Sequence, residues 1–241
     1  MTRARVRALS ILFVAVVLAA VAAVAVIHRE PRPLGPRADR PVLLLLTSLP
    51  LVFGEGFSIR DAGSPVLKAL NTRYRVIPIS VAYRADLAKG KLLLMAHPLA
   101  QPAEDLVALD AWVRRGGRVL LLADPMLEWP SKRPLGDPLR PPPMFMDTGL
   151  LGHWGLRLDA PDERGAATRK LGGFNVLTVS PGLLFGRCSI SGDRLVAHCR
   201  IGKGEATVVA DADLLDAASV GSKGANNLSG LLQELARLEK D

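Results

Sequence analysis

A three-layer α/β fold around a mostly parallel sheet is predicted by three observations. Short uninterrupted apolar runs recur at Val42–Leu46, Leu92–Ala96, Val119–Ala123 and Ala206–Ala210, the pattern of strands buried on both faces. Between the second and third lies an amphipathic stretch, 102–115, closed by Gly116-Gly117, so this segment reads as one β-α-β unit. Polar residues follow the runs: Thr47-Ser48, His97-Pro98, Asp124-Pro125 and Asp211. Those turns share the sheet edge where open α/β folds hold ligands.

The first 40 residues stand apart from this body. Residues 1–8 form a basic flank with Arg3, Arg5 and Arg7. Leu9–Ile27 holds 19 residues without a charge, about the length that crosses a bilayer. This predicts one transmembrane helix over 9–27, with the N-terminus cytoplasmic and the remainder exported. A cleaved signal peptide is the alternative, with Ala20-Val21-Ala22 or Ala23-Val24-Ala25 as its small-residue site, although the run exceeds the usual apolar core of such peptides. Either reading puts the body, 41–241, outside the cytoplasm. The anchored reading makes it the periplasmic domain of a single-pass bacterial inner-membrane protein. Residues 28–40 are a Pro/Arg linker.

The charge follows the same division. Seven arginines against Glu30 and Asp39 place +5 of the chain's net +8 in residues 1–40. The basicity therefore marks a membrane flank. No basic-aromatic stripe is present, which excludes nucleic acid as the expected partner.

Along the body, Val42–Leu46 opens the sheet and Leu51–Gly63 is a glycine-bearing loop. Ser64-Pro65 predicts a helix over 66–71, with serine as cap and proline at its first position. Tyr74–Ser80 reads as a strand that Pro78 confines to an edge or end. In the 102–115 helix, Pro102 suits the first position, Glu104 and Asp105 the first turn, and Arg114 and Arg115 the last. Leu106, Leu109, Trp112 and Val113 share the face that packs on the sheet. Residues 125–143 contain seven prolines and no regular pattern, and a loop this long within a domain is functional or disordered. Asp147–Trp154 predicts a short helix. Val176–Val179, Leu184–Ile190 and Leu195–Ile201 predict an inserted β-hairpin region, with a turn near Ser191-Gly192-Asp193. Ala225–Leu238 is the closing helix, capped by Asn226 or Asn227. Cys188 and Cys199 lie in the hairpin. Depending on its register they form a disulfide or remain two partly buried thiols.

Candidate functional residues gather at the polar edge: Thr47, Ser48, His97, Asp124, Asp211 and Asp213. A histidine with several carboxylates has the composition of an acid/base site. Such residues also end buried strands and cap backbone amides without any chemistry. Ser-His-Asp hydrolysis needs a nucleophile elbow, Gly-x-Ser-x-Gly, and neither Ser48 nor Ser180 sits in one. Gly202-Lys203-Gly204 joins two β segments and reads as a turn, since a phosphate loop needs Lys-Ser/Thr opening a helix. Gly221-Ser222-Lys223-Gly224 precedes a helix whose N-terminus could hold an anion, but a flexible connection suffices to explain it. His153 and His198 have no partner at metal-ligand spacing. No cofactor or metal is expected. Trp129, within the proline-rich loop, is the tryptophan best placed for a contact surface.

The segment 92–125, with Leu106–Gly117 (LVALDAWVRRGG) and Arg118–Pro125 (RVLLLADP), resembles the auxiliary domain of gliding-motility-type ABC transport systems and membrane-anchored bacterial relatives of it. Gly202-Lys203-Gly204, Val208–Asp213 and Asn226-Asn227-Leu228 are similar to that family's glycine turn, Asp-x-Asp strand end and asparagine-led helix. The resemblance implies a flavodoxin- or glutamine-amidotransferase-like fold, with permease and ATPase subunits as partners. The strand-helix elbow cysteine of class I amidotransferases has no counterpart, because Cys188 and Cys199 lie in the hairpin. The expected function is therefore a non-catalytic, membrane-anchored accessory or ligand-sensing subunit of an envelope ABC-type system. The alternatives are a degenerate or uncharacterised hydrolase using His97, Asp124 and Asp211, and an envelope scaffold that binds a partner through loop 125–143.

Overall fold

The apolar runs form the middle of one sheet. The computed structural model describes residues 39–55, 63–216 and 224–240, and Arg40–Asp241 forms one structural unit. In chain order the elements are β1 (Val42–Thr47), α1 (Pro65–Arg73), β2 (Arg75–Ile79), α2 (Arg84–Leu87), β3 (Leu92–Ala96), α3 (Ala103–Arg114), β4 (Arg118–Leu122), α4 (Leu150–His153), β5 (Leu156–Asp159), β6 (Ala166–Leu171), β7 (Phe174–Val179), β8 (Leu183–Gly186), β9 (Ser189–Ile190), β10 (Val196–Ile201), β11 (Gly204–Val209) and α5 (Gly224–Lys240). Seven strands pair in the order β2-β1-β3-β4-β11-β10-β9. The first five are parallel, while β10 and β9 run antiparallel to their neighbours. Two small ribbons, β5 with β8 and β6 with β7, complete the structure.

Strand alternation divides the core into two layers. Leu43, Leu45, Leu94 and Leu120 face one cluster, which α1 and α5 close with Val66, Leu70, Leu231 and Leu235. Leu44, Leu46, Leu93 and Leu121 face the other, which α3 closes with Leu109 and Val113. Successive side chains of a strand point to opposite faces, so the unbroken apolar runs fill both. Truncating one such leucine to alanine costs about 2–5 kcal/mol.

Several local expectations are met and several corrected. Ser64 caps α1 by accepting from the Leu67 amide, with Pro65 at the first position. Pro102 is the residue before α3 rather than its first helical position. Gly116, at φ 113°, turns the chain out of α3. A Cβ on Gly117 would meet the Trp112 ring at 2.3 Å, and one on Gly204 would meet the Val113 carbonyl oxygen at 2.1 Å. Gly202-Lys203-Gly204 is therefore the tight β10–β11 turn seated on the end of α3, where the Lys203 amide donates to Arg114 O. The predicted strand 184–190 is two strands, β8 and β9, broken after Gly186. Strands β5 and β6 went unpredicted, because β6 alternates exposed and half-buried residues without an apolar run.

The hairpin turn at Ser191–Asp193 is present, and β9 pairs with β10 so that Ser189 faces His198. The next pair outward is Cys188 and Cys199, which form a disulfide with Cα atoms 4.8 Å apart. The asparagine cap of the last helix is corrected. The helix begins at Gly224, and the Asn227 side chain instead donates to Leu177 O and Leu214 O and accepts from the Leu177 amide. It fastens β7 and the 3₁₀ turn Asp213–Leu215 to α5. No helix among the described residues is long and apolar enough to cross a membrane. The apolar run 9–27 lies outside the described residues.

Candidate functional site

The carboxyl ends of β1, β3, β4 and β11 form one edge of the sheet, and the predicted polar residues stand along it. Between β1 and β3 the strand order reverses, the position where doubly wound sheets open a crevice. Here the Thr47 hydroxyl donates to Ala96 O at 2.8 Å and accepts from the Leu49 amide, while the Ser48 hydroxyl donates to His97 O. Both side chains cross-link the two strand ends. His97 is fully buried with φ 45°. Its Nε2 lies 2.9 Å from Pro142 O and tethers the far end of the proline-rich loop, while Nδ1 has no partner among the described residues. Burial pushes the imidazole pKa below its ordinary value. The ring is then neutral, with Nε2–H as the donor and Nδ1 as the empty acceptor.

At the β4 and β11 ends stand three carboxyls. Asp124 Oδ1 accepts from the Met126 amide and Oδ2 from the Ala212 amide, both at 2.8 Å. Asp211 Oδ2 accepts from Val179 at 2.9 Å and Oδ1 from Leu214 at 2.7 Å. Asp213 Oδ2 accepts from Glu128 at 2.8 Å. Asp124 and Asp211 are fully buried, and Asp213 is nearly so. Burial is the main cause that raises all three acids: Asp124 to about 6, Asp213 to about 7, and Asp211, also facing the Asp124 charge, well above the usual range. Each bonds a backbone amide, so together they clamp the start of loop 125–143, the end of β7 and the 3₁₀ turn onto the sheet. Among the described residues no group of His, Cys, Asp and Glu is arranged to hold a metal ion.

Beyond these clamps lies a cavity of about 590 Å³, lined by Pro125, Met126, Leu127, Glu128, Pro143, Met144, Arg164 and Gly165. Both ends of the proline-rich loop form its walls. Glu128 is held by a device that the sequence did not disclose. Ser180 is fully buried at φ 48°. Its hydroxyl accepts from the Gly165 amide at 2.9 Å and donates to Glu128 Oε1 at 2.6 Å, while its own amide donates to Gly165 O. Glu128, Arg164 and Ser180 were absent from the predicted set. The signal in the sequence is Ser180-Pro181-Gly182, a strand-end turn after Val176–Val179.

The remaining predicted residues fall elsewhere. Trp129 is half-buried and packs with Leu127 against the core cluster of α1 and α5. His198 of β10 pairs with Glu234 of α5 at 3.1 Å, and His153 lies 3.3 Å from Asp110. Of Gly221–Gly224, the first three residues lie outside the described residues.

No family model matches the chain, and no curated protein matches it. Among solved structures it is similar to the mmIFT52 N-terminal domain, at 13% identity and a TM-score of 0.52, over 81% of this chain and 97% of that one. It is also similar to an exo-β-1,4-mannosidase from Opitutaceae bacterium strain TAV5, at 15% identity and a TM-score of 0.49, over 84% of this chain and 37% of the enzyme. A cytoplasmic protein from Salmonella typhimurium aligns at 10% identity and a TM-score of 0.47, over 82% of this chain and 98% of that one. The chain thus spans just over a third of the mannosidase. Likeness at this identity is one of fold alone.

Proposed function

We propose that the chain is a non-catalytic, membrane-anchored accessory or ligand-sensing subunit of an envelope ABC-type transport system. The body is extracytoplasmic and the N-terminus cytoplasmic. One observation carries the non-catalytic part: both carboxyl oxygens of Asp124 and of Asp211 accept backbone amides in a fully buried position. Groups so placed hold loops and do not reach a substrate. The anchor rests on Arg3, Arg5 and Arg7 before the uncharged run 9–27. The Cys188–Cys199 disulfide fits an oxidising compartment. The order β2-β1-β3-β4-β11 is that of flavodoxin-like sheets, which supports the flavodoxin- or amidotransferase-like assignment. The ABC-type partners, a permease and an ATPase, rest on the resemblance of 92–125 and 202–228 to the auxiliary domain of gliding-motility-type systems.

Crosslinking in intact membranes, followed by identification of what is captured, tests the reading. Recovery of a multi-span permease or its ATPase supports it, and recovery of neither contradicts it. A second reading, hydrolysis by His97, Asp124 and Asp211, is favoured by the buried Asp124 carboxyl, raised to about 6, and by Asp211, raised well above the usual range. It requires turnover that is lost when His97 and Asp124 become alanine in a chain that still folds. The scaffold reading requires capture of a partner that disappears on deleting residues 127–143.

A further inference from the structure

The cavity at the β4/β11 end has a ligand chemistry of its own. Its volume, about 590 Å³, lies in the range of small-molecule sites, roughly 300–1,000 Å³. Most of the wall is apolar: the rings of Pro125 and Pro143, Leu127, and the thioethers Met126 and Met144. Methionine side chains adapt to varied apolar shapes. Two charged side chains share this wall, Glu128 and Arg164. Neither forms an ion pair among the described residues, and both are exposed.

Glu128 is also oriented in advance. The buried Ser180 hydroxyl holds Oε1, and Ser180 is itself fixed to Gly165 through both its amide and its hydroxyl. Restraining a binding group before the ligand arrives reduces the entropy lost on binding. Behind the loop stand Asp124 and Asp213, whose charges interact with Glu128. Glu128 puts a negative charge on one part of the cavity wall, and Arg164 supplies the opposite charge on the same wall.

We infer that this cavity binds a small zwitterion with an apolar body, an amino acid or short peptide, with its ammonium group on Glu128 and its carboxylate on Arg164. The inference rests on the ligand-sensing reading above and names its ligand class. It is tested with the full-length chain in lipid nanodiscs by titration calorimetry. The probes are L-leucyl-L-leucine, its N-acetyl derivative, which lacks the ammonium group, and its C-terminal amide, which lacks the carboxylate.

Saturable binding of the dipeptide is expected. Glu128→Gln keeps an acceptor for Ser180 and weakens binding about tenfold or more, the size of a charge-assisted hydrogen bond. Arg164→Ala weakens it several-fold and abolishes the preference for dipeptide over amide. Melting temperatures of both variants stay at the wild-type value. The inference is overturned if the dipeptide gives no saturable heat, if Glu128→Gln binds it as tightly as wild type, or if the three probes bind the wild type equally. Hydrolysis of the dipeptide during titration would defeat the non-catalytic reading and leave the site intact. Loss of binding with a transport subunit still crosslinked would defeat the site alone.

Discussion

At the β1/β3 end of the sheet edge, Thr47 and Ser48 bond the strand beside them and His97 holds a distant loop. At the β4/β11 end, Asp124, Asp211 and Asp213 hold a loop and a turn in place, and two charged side chains are left facing a cavity. Both ends carry polar residues after buried strands, so both read alike as sequence. The difference lies in what each side chain accepts from. At β1/β3 the hydroxyls bond carbonyls of the neighbouring strand end; at β4/β11 the carboxylates bond amides that include the start of the loop whose two ends line the cavity. Strand-end polarity alone does not mark a binding site; what sets the proposed site apart is Glu128, an exposed charge held by the buried Ser180 hydroxyl.

The largest effect expected from this comparison is at Asp211. Its replacement by alanine leaves the buried Val179 and Leu214 amides unpaired and costs about 3 kcal/mol or more in urea unfolding. A loss below about 1 kcal/mol would mean that the clamp is not what holds this end. Next is the Cys188–Cys199 bridge at the rim of the same sheet, which closes a sequence separation of 11. Cys188→Ser with Cys199→Ser, or reductant, should remove roughly 2–3 kcal/mol, measured as a drop in melting temperature. An unchanged melting temperature would place the hairpin outside the cooperative unit.

The pH dependence sharpens the contrast further. Asp213 and Asp124 titrate at about 7 and about 6 in the folded chain, against a usual 3.8. The native state then holds more protons than the unfolded chain between about pH 4 and about pH 7, so stability falls as pH rises through that window. Melting should be roughly 5 °C higher at pH 5 than at pH 7.5. Asp213→Asn, which keeps an acceptor for the Glu128 amide, should remove much of that difference. A profile that rises with pH would contradict the burial of these acids.

The smallest effects belong to the β1/β3 end. Thr47→Ala and Ser48→Ala should each cost about 1 kcal/mol and leave dipeptide binding unchanged. Weakened binding in either would join the two ends into one site.

Much of the fold was legible because its strands are buried on both faces. Val42–Leu46 and Leu92–Ala96 are short apolar runs bounded by turn residues, which favours buried strands, and the Gly116-Gly117 stop is written in the chain. Strands β5 and β6 were not legible, since β6 alternates exposed and half-buried residues and β5 is four residues long with charged Arg157 and Asp159. The cysteine pair was visible in spacing, yet its bonding depended on the register of two residues in β9. At the site, Asp124, Asp211 and Asp213 could be placed at one edge by strand position. Their local bonds, Met126 to Asp124 and Leu214 to Asp211, are ordinary strand-end turns, whereas the Ala212, Val179 and Glu128 amides reach Asp124, Asp211 and Asp213 from loops distant in sequence and could not be foreseen. Glu128 and Ser180 are 52 residues apart and share no motif, so only the folded chain brings them together.

Residue-resolved amide hydrogen exchange at Met126, Val179, Ala212 and Leu214 tests most directly whether the edge carboxylates are committed to the backbone. Protection comparable to that of strand β4 is expected at all four positions. Exchange as fast as at exposed loop amides would show Asp124 and Asp211 free for chemistry and contradict that commitment.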